Sequence, residues 1–248
     1  METHPTKTVF VTGTDTDVGK TYVASLLART LVGKCQRVGV YKPVASGCIP
    51  ATIMMVDGQP ELNPGQSGDS GGMVATDAFE LWRAAGMPRR LDDVCPQRFA
   101  LPVAPPAAAA AENREVDAKL LVDGAAKWRS GYDWLIVEGA GGFMSPLADG
   151  LLNIDLYRQL GQPKLLVVAA NRLGTIHQSL ATCLAAQQLG CEVSGLLLNA
   201  VQSTTDSSCT GNAEQIRRYS NVEFLGTVDY QQTTLPDNII GAIEKWFA

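Results

Sequence analysis

A glycine-rich segment at residues 13–21, GTDTDVGKT, constrains the fold of this chain more than any other feature. It follows a β-branched run of strand length and opens a segment with helical periodicity. In that setting the backbone N–H groups of the loop and the N-terminus of the helix can surround phosphate groups. Lys20 would reach the β- and γ-phosphates, and the Thr21 hydroxyl would bind magnesium. The segment therefore predicts a P-loop that binds a nucleoside triphosphate.

The spacing within this segment departs from the usual motif. Five residues rather than four separate Gly13 from Gly19, so Thr14 takes the first aligned position. The strand before the segment and the helix after it favour a nucleotide site over a chance Gly-Lys-Thr sequence. The nucleotide-binding residues predicted here are Gly13, Thr14, Asp15, Asp17, Val18, Gly19, Lys20 and Thr21.

The rest of the chain alternates between two kinds of pattern. Near-continuous apolar runs, typical of strands buried on both faces, occupy residues 8–12, 38–42, 134–138, 165–170, 195–199 and 224–228. Helical patterns lie between several of them, at residues 20–31, 77–85, 117–128 and 175–189. This alternation predicts an α/β P-loop NTPase-type fold in one domain, residues 1–248, with a mostly parallel sheet of about seven strands and helices on both faces. Ligands then bind where the strands end, along one edge of the sheet.

Two segments fall outside this alternation. Residues 46–75 are rich in Gly, Pro, Ser and Asp, which predicts a long mobile loop that could act as a lid. Residues 104–111 contain two prolines followed by five alanines, which predicts a helix that begins with proline.

Composition excludes several classes of function. The net charge of −5 leaves no basic surplus for a nucleic-acid partner. None of the six cysteines forms a C-x-x-C pair and only two histidines are present, so no zinc site is expected. No apolar stretch is long enough to span a membrane, and residues 1–7 are too polar for a secretory signal. We expect a cytoplasmic protein with reduced cysteines.

Three further charged residues lie at ends of predicted elements. Lys42 ends the second predicted strand, where an exposed lysine is the favoured interpretation and a role beside the γ-phosphate is the alternative. Glu138 ends the third strand and is equally consistent with a solvated carboxylate or a magnesium contact. Asp77 lies where a helix begins, so that helix capping or complementing the helix dipole is the favoured role for it.

Three motifs together resemble the dethiobiotin synthetase family. They are FVTGTDTDVGKT at residues 10–21, YKPVASG at 41–47 and VEGAGG at 137–142, and weaker similarity extends to about residue 228. The resemblance implies an ATP- and Mg²⁺-dependent cyclo-ligase of biotin biosynthesis. In this family, 7,8-diaminononanoate captures CO2 as a carbamate, the γ-phosphoryl group converts it to a carbamic–phosphoric anhydride, and the second amine closes the ureido ring.

The resemblance also implies roles for individual residues. Lys20, Lys42, Ser46 and Thr16 would act on the carbamate and the phosphoryl group, and Thr21, Asp77 and Glu138 would hold magnesium. Gly141 would approach the nucleotide, and Asn199 would read adenine. In this family the substrate site lies at a homodimer interface, so Gly174, Thr175 and His177 would hold the substrate carboxylate of the partner subunit.

The chain departs from the family pattern in three places. Ala104, Pro105 and Pro106 stand where the family commonly shows Ser-Pro-His. Residues 226–229 lack the proline often found beside the base, and the 46–75 segment is long for the family. These departures leave the base preference and the details of substrate contact open. The role of His177 and the action of the 46–75 segment as a lid are also open.

Two other functions are compatible with a P-loop. A dimerising ATPase switch of the ParA or MinD type would carry a signature lysine where this chain has Asp15. A non-catalytic regulatory module related to dethiobiotin synthetase would be expected to lose the phosphate lysines or the magnesium carboxylates. Both lysines and both carboxylates are present.

Overall fold

The computed structural model describes residues 5–65, 72–203 and 207–248. The strands are β1 (Lys7–Gly13), β2 (Val38–Tyr41), β3 (Val44–Ala45), β4 (Ile49–Val56), β5 (Gln59–Pro64), β6 (Gly72–Val74), β7 (Gln97–Arg98), β8 (Trp134–Gly142), β9 (Pro146–Ala148), β10 (Leu151–Leu152), β11 (Lys164–Ala170), β12 (Val193–Asn199) and β13 (Phe224–Val228). The α-helices are α1 (Lys20–Gly33), α2 (Thr76–Ala84), α3 (Leu91–Val94), α4 (Pro105–Ala111), α5 (Ala118–Ala126), α6 (Asn153–Gln159), α7 (Thr175–Gln188), α8 (Asn212–Tyr219) and α9 (Asp237–Lys245). A 3₁₀ helix covers Ser207–Cys209.

Six strands form the central sheet in the order β13-β12-β11-β1-β8-β2, and every pair is parallel. The predicted α/β class and parallel sheet are therefore confirmed. The predicted number of about seven strands was one too high for the described residues. All six apolar runs of the sequence became strands of this sheet because their side chains are covered on both faces. In β11, for example, Leu165 to Ala170 are fully buried.

The order of the strands brings the P-loop to the middle of the sheet. β1 lies between β11 and β8, and the loop that follows it leads directly into α1. One face of α1 packs into the core through Val23, Leu27 and Leu31, all fully buried. Since all six strands are parallel, the ends of β2, β8, β12 and β13 lie along the same edge as the P-loop.

The predicted mobile loop at residues 46–75 was wrong for the residues the structure describes there. β4 pairs with β5 and with β6, both antiparallel, in a small three-stranded sheet. Asp57 and Gly58 make the turn between β4 and β5, with φ of 49° and 77°. Asp-Gly is a strong signal for a two-residue hairpin, and the interpretation from Gly and Pro content overlooked it. Part of this segment, residues 66–71, lies outside the described residues.

The helix predicted from two prolines and five alanines is present as α4, with both prolines in its first turn. Proline suits that position because its missing N–H has no partner within the helix. Across the described ranges, no helix combines the length and the apolar character needed to cross a membrane.

Candidate active site

A cavity of about 860 Å³ lies along the edge of the sheet where the parallel strands end. The sequence-predicted residues that line it are Thr16, Asp17, Gly19, Lys20, Thr21, Lys42, Ser46, Asp77, Glu138, Gly141 and Asn199. They come from the P-loop and the start of α1, from β8, from the first turn of α2, and from positions that end or directly follow β2, β3 and β12. Residues distant in the sequence thus share one concave site, which is typical of nucleotide-binding α/β folds.

The P-loop lysine is buried beside its own loop. Lys20 is 7% exposed, and its Nζ donates to the carbonyl oxygen of Asp15 at 2.8 Å. Burial lowers the pKa of this ammonium, although Glu138 offsets part of the effect, and the positive charge of Lys42 lowers it further. An anion in the cavity would stabilise both ammonium groups.

Glu138 lies fully buried at the centre of the site. Its Oε1 accepts from the Thr21 hydroxyl at 2.7 Å and from Lys42 Nζ at 2.6 Å. Its Oε2 is also buried, and within the described part of the chain it has no hydrogen-bond partner. The interpretation of Glu138 as a solvated strand-end residue was therefore wrong. A buried carboxylate oxygen without a partner is costly unless a ligand completes it.

Lys42 is buried as well, so the favoured interpretation as an exposed lysine was wrong. It is 3% exposed, and its Nζ lies 2.6 Å from Glu138 Oε1 and 3.1 Å from Asp77 Oδ2. Burial alone would lower the pKa of Lys42, but the two carboxylates raise it above its ordinary value. The ammonium therefore keeps its charge at neutral pH.

Asp77 lies in the first turn of α2, where its charge complements the helix dipole, but it does not cap the helix. The N-cap of α2 is Ala75, and no side chain makes a capping hydrogen bond there. The Asp77 carboxylate instead reaches Lys42, whose positive charge holds the pKa of Asp77 below its usual range. Because the side chain is 55% exposed, it faces the open part of the cavity.

The donor atoms around Glu138 fit magnesium. Two carboxylates, from Asp77 and Glu138, and the Thr21 hydroxyl are hard oxygen ligands, and Glu138 Oε2 has an open coordination position. In the described ranges no group of three or more His, Cys, Asp or Glu residues could hold a metal ion. Magnesium does not need such a group, because it retains waters and binds phosphate oxygens.

The side chain of Asn199, at the end of β12, contacts the backbone of the P-loop. Its Nδ2 donates to the carbonyl oxygen of Val18 at 3.1 Å, and its buried Oδ1 has no partner among the described residues. Gly19 is required at this contact, because a Cβ there would lie 2.0 Å from Asn199 Nδ2. Gly19 also has a φ of 89°, which favours glycine.

Asn153 is a site-forming residue that the sequence did not reveal. It is fully buried, and its Nδ2 lies 2.7 Å from the Ala140 carbonyl oxygen and 2.9 Å from that of Gly142. The same nitrogen lies 3.1 Å from the Ser145 carbonyl oxygen, and Oδ1 accepts from the Ala140 N–H at 3.2 Å. Gly139 allows this close approach, since a Cβ there would lie 2.3 Å from Asn153 Oδ1. Asn153 thus holds the glycine-rich loop after Glu138 in place.

The remaining predicted site residues do not line this cavity. They are Gly13, Thr14, Asp15, Val18, Gly174, Thr175 and His177. Thr14 and Asp15 border a smaller cavity of about 270 Å³, and the Thr14 N–H donates to the Val168 carbonyl oxygen at 3.0 Å. The Thr14 amide is therefore already hydrogen-bonded to the sheet and is not directed at a phosphate group.

The predicted carboxylate-binding segment lies at the start of α7. Gly174 is the N-cap with a φ of 90°, and His177 is exposed in the first turn. Thr175 is fully buried, and its Oγ1 has no hydrogen-bond partner in the described structure. Within one chain these residues are not part of the lining of the main cavity.

Comparisons with solved structures agree with the fold. The signal recognition particle receptor FtsY of Elizabethkingia anophelis, in complex with GDP, superposes with a TM-score of 0.53 at 15% identity, covering 100% of this chain and 65% of that one. The MinC:MinD cell division complex of Aquifex aeolicus gives a TM-score of 0.51 at 10% identity, covering 96% of this chain and 86% of that one. At such low identity these likenesses concern the fold alone.

Sequence comparisons are more specific. A family model described as an AAA domain matches residues 7–237. The ATP-dependent dethiobiotin synthetase BioD of Rhodopirellula baltica is 41% identical over 228 residues, covering 88% of this chain and 82% of the relative. The protein of the same name from Anaeromyxobacter dehalogenans is 36% identical over 224 residues, covering 90% of each chain. BioD 1 of Salmonella typhi is 38% identical over 199 residues, covering 79% of this chain and 78% of the relative. The chain belongs to the dethiobiotin synthetase family.

Proposed function

We propose that this protein is an ATP-dependent dethiobiotin synthetase, which closes the ureido ring of dethiobiotin from 7,8-diaminononanoate and CO2. The observation that carries the proposal is that Lys20, Lys42 and Glu138 meet in one cavity at the end of a P-loop. The family relationship supplies the reaction, and the cavity has the charged groups that this reaction needs.

The reaction passes through negatively charged groups, the carbamate and the phosphoryl group, which positive side chains can stabilise. One amine of the substrate adds to CO2 to give a carbamate, whose oxygen then accepts the γ-phosphoryl group of ATP. The second amine attacks the carbonyl carbon and expels phosphate. Phosphoryl transfer depends mainly on positioning and on stabilisation of negative charge. The ammonium groups of Lys20 and Lys42 are suited to this, since both face the same cavity and both are largely shielded from water.

We assign supporting roles to the neighbouring groups. Thr21, Asp77 and Glu138 would hold Mg²⁺, which neutralises phosphate charge when bound. Ser46 and Thr16 line the cavity and would donate hydrogen bonds to the carbamate or the phosphate. Asn199 is suited to accept from an amino group of the base, because its buried Oδ1 has no partner among the residues that the structure describes.

We further propose a cytoplasmic homodimer. Gly174, Thr175 and His177 would then hold the substrate carboxylate in the partner subunit's site, where the N-terminus of the 14-residue helix α7 suits an anion. Sedimentation of the protein with and without substrate tests this assembly, and a monomer under both conditions would contradict it.

The direct test of the reaction is a product assay. The protein is incubated with 7,8-diaminononanoate, bicarbonate, Mg²⁺ and each nucleoside triphosphate in turn, and dethiobiotin and phosphate are measured. We expect equal amounts of the two products with the preferred nucleotide. Phosphate release without dethiobiotin, whether or not the diamine is present, would instead indicate an ATPase and would refute the proposal.

A further inference from the structure

Ser145 is half-buried and lies where two cavities meet. It lines the main cavity of about 860 Å³ and also the smaller cavity of about 270 Å³ that Thr14 and Asp15 border. Gly142, three residues before it, is paired with Gly13 across β8 and β1, so the turn that carries Ser145 runs beside the start of the P-loop. A substrate that reaches the phosphates from the smaller cavity would therefore pass the Ser145 side chain.

The backbone of Ser145 is fixed on both sides. Its N–H donates to the Gly142 carbonyl oxygen at 2.9 Å. Its carbonyl oxygen accepts from the Asn153 N–H at 3.0 Å and lies 3.1 Å from Asn153 Nδ2. Gly141 allows this tight turn, because its φ is 69° and a Cβ there would lie 2.6 Å from Ser145 Oγ. The turn therefore holds the Ser145 side chain in place through contacts within the chain itself.

The hydroxyl group of Ser145 has a proton to offer. Its Oγ accepts from the Gly142 N–H at 2.9 Å, and in the described part of the chain this hydroxyl donates to no acceptor. A serine hydroxyl carries one proton and two lone pairs, so the bond from Gly142 leaves the proton available to a ligand. Hydrogen bonds in a chain also strengthen one another, which makes this hydroxyl a better donor.

Ring closure creates a need for such a donor. The lone pair of the second amine forms the new C–N bond, and the carbonyl electron pair moves onto the oxygen atom. That pair returns as the C–O bond to phosphate breaks, and the phosphate leaves with the bonding electrons and takes up the proton that the amine releases. The carbonyl oxygen carries negative charge only between these events, and a fixed donor beside it lowers the barrier.

We propose that Ser145 is a catalytic residue of ring closure, whose hydroxyl donates a hydrogen bond to the carbonyl oxygen of the carbamic–phosphoric anhydride. The inference rests on the proposed function, and it assigns the ring-closing step to a side chain outside the motifs at residues 10–21, 41–47 and 137–142. Ser145 keeps its proton throughout, because it stabilises the oxygen atom without protonating it.

The test compares side chains of similar shape with and without a hydroxyl group. The variants are Ser145→Ala, Ser145→Val and Ser145→Thr, and dethiobiotin and phosphate are measured separately at saturating MgATP, diamine and bicarbonate. We expect Ser145→Ala and Ser145→Val to form dethiobiotin about 10- to 100-fold more slowly than the wild type. Ser145→Thr keeps the hydroxyl donor and should remain within about threefold of the wild-type rate.

The ratio of the two products separates this role from a structural one. An anhydride that closes slowly is open to hydrolysis, which releases phosphate and returns the diamine and CO2. Ser145→Ala should therefore release more phosphate than dethiobiotin, whereas the wild type should form equal amounts. Binding of MgATP, measured by calorimetry, should change by less than about twofold in the three variants, because the proposed hydrogen bond strengthens only during ring closure.

Ser194→Ala is the matched control. Ser194 is likewise half-buried, and its Oγ also accepts from a backbone N–H, that of Leu165 at 3.1 Å. It lies at the start of β12, away from the edge where the strands end, and it lines neither of the two cavities. This control should form dethiobiotin at the wild-type rate, with an equal amount of phosphate.

Several results would overturn the inference. They are a Ser145→Ala variant as fast as the wild type, a Ser145→Thr variant as slow as Ser145→Ala, and equal amounts of phosphate and dethiobiotin from Ser145→Ala. Loss of MgATP binding as large as the loss of rate would show that Ser145 only supports the loop, which also refutes the proposal. A wild-type protein that binds MgATP but forms no dethiobiotin would overturn the proposed function together with this inference, so the two failures are distinguishable.

Discussion

Replacing Lys42 by methionine should lower both the free energy of unfolding and the rate of ring closure, and a second substitution should restore only the first. The substitution keeps most of the side-chain volume and removes the ammonium that bonds to Glu138 at 2.6 Å. The two side chains are 4% and 0% exposed, so Glu138 would be left as a buried charge held by the Thr21 hydroxyl alone. Breaking a buried pair in this way costs about 3–5 kcal/mol. The contact with Asp77 adds at most about 1 kcal/mol, because that carboxylate is 55% exposed.

Urea denaturation in metal-free buffer measures this cost. A domain near the middle of the usual range of about 5–15 kcal/mol should still fold after this loss, so the activity of the variant can be assayed at low temperature. Lys34→Met is the matched surface control, because it breaks a pair with Glu244 in which both side chains are more than a third exposed. We expect this control to change the free energy of unfolding by less than about 1 kcal/mol.

The second half of the prediction concerns the double variant. Lys42→Met with Glu138→Gln removes both charges, and we expect it to recover at least about half of the lost free energy of unfolding. Ring closure should fall by about 100- to 1,000-fold in the single variant and should not return in the double variant. A single variant as stable as the wild type would refute the argument about the buried pair. Full turnover without the ammonium would refute its catalytic role.

Three other predictions concern the same site. The Lys42 ammonium holds the pKa of Asp77 below its usual range, so the stability that this carboxylate contributes is present above its ordinary pKa and is lost as pH falls through the lowered folded pKa. Asp77→Asn should therefore flatten the unfolding free energy against pH in that acidic window, measured by urea titration in metal-free buffer, and an unchanged profile would contradict this. Chelation of divalent ions should abolish dethiobiotin formation, and added Mg²⁺ should restore it. Thr21→Ala should raise the Mg²⁺ concentration needed for half-maximal activity. Direct titration with Mn²⁺ should show the same weakening of metal binding in this variant. Asn153→Ala should lower the free energy of unfolding by about 1–3 kcal/mol, because the part-buried N–H and carbonyl oxygen of Ala140 lose the side-chain amide that bonds to both. An unchanged free energy of unfolding would show that water replaces the amide.

The sheet could be predicted because its information is local. A strand that is buried on both faces must be apolar at nearly every position, and that pattern is visible in a short run such as residues 165–170 of β11. The β4–β5 hairpin was missed for a different reason. Its Asp57-Gly58 turn lies within a segment rich in Gly and Pro, and that composition is typical of a loop although the dipeptide itself favours a hairpin.

The environment of the site residues could not be predicted from individual positions. A lysine at a strand end is normally exposed, and Lys42 is buried only because Glu138 and Asp77 approach it from other elements. The family resemblance suggested that these residues act together, but local pattern did not. The role of Asn153 left no such signal, since its partners are backbone carbonyl groups. Ser145 likewise looks like an ordinary turn residue in the sequence, and only the structure places it between two cavities.

The balance of charge in the cavity explains why a divalent cation is expected there. In the described structure two lysines line the cavity together with three carboxylates, from Asp17, Asp77 and Glu138, so side chains alone do not make it positive. Lys42 is already engaged by two of these carboxylates. Triphosphate and carbamate would add further negative charge, which the amides of the P-loop and the start of α1 only partly offset. A cation bound by Asp77 and Glu138 would both supply the missing charge and leave the Lys42 ammonium free to face the reacting oxygen atoms.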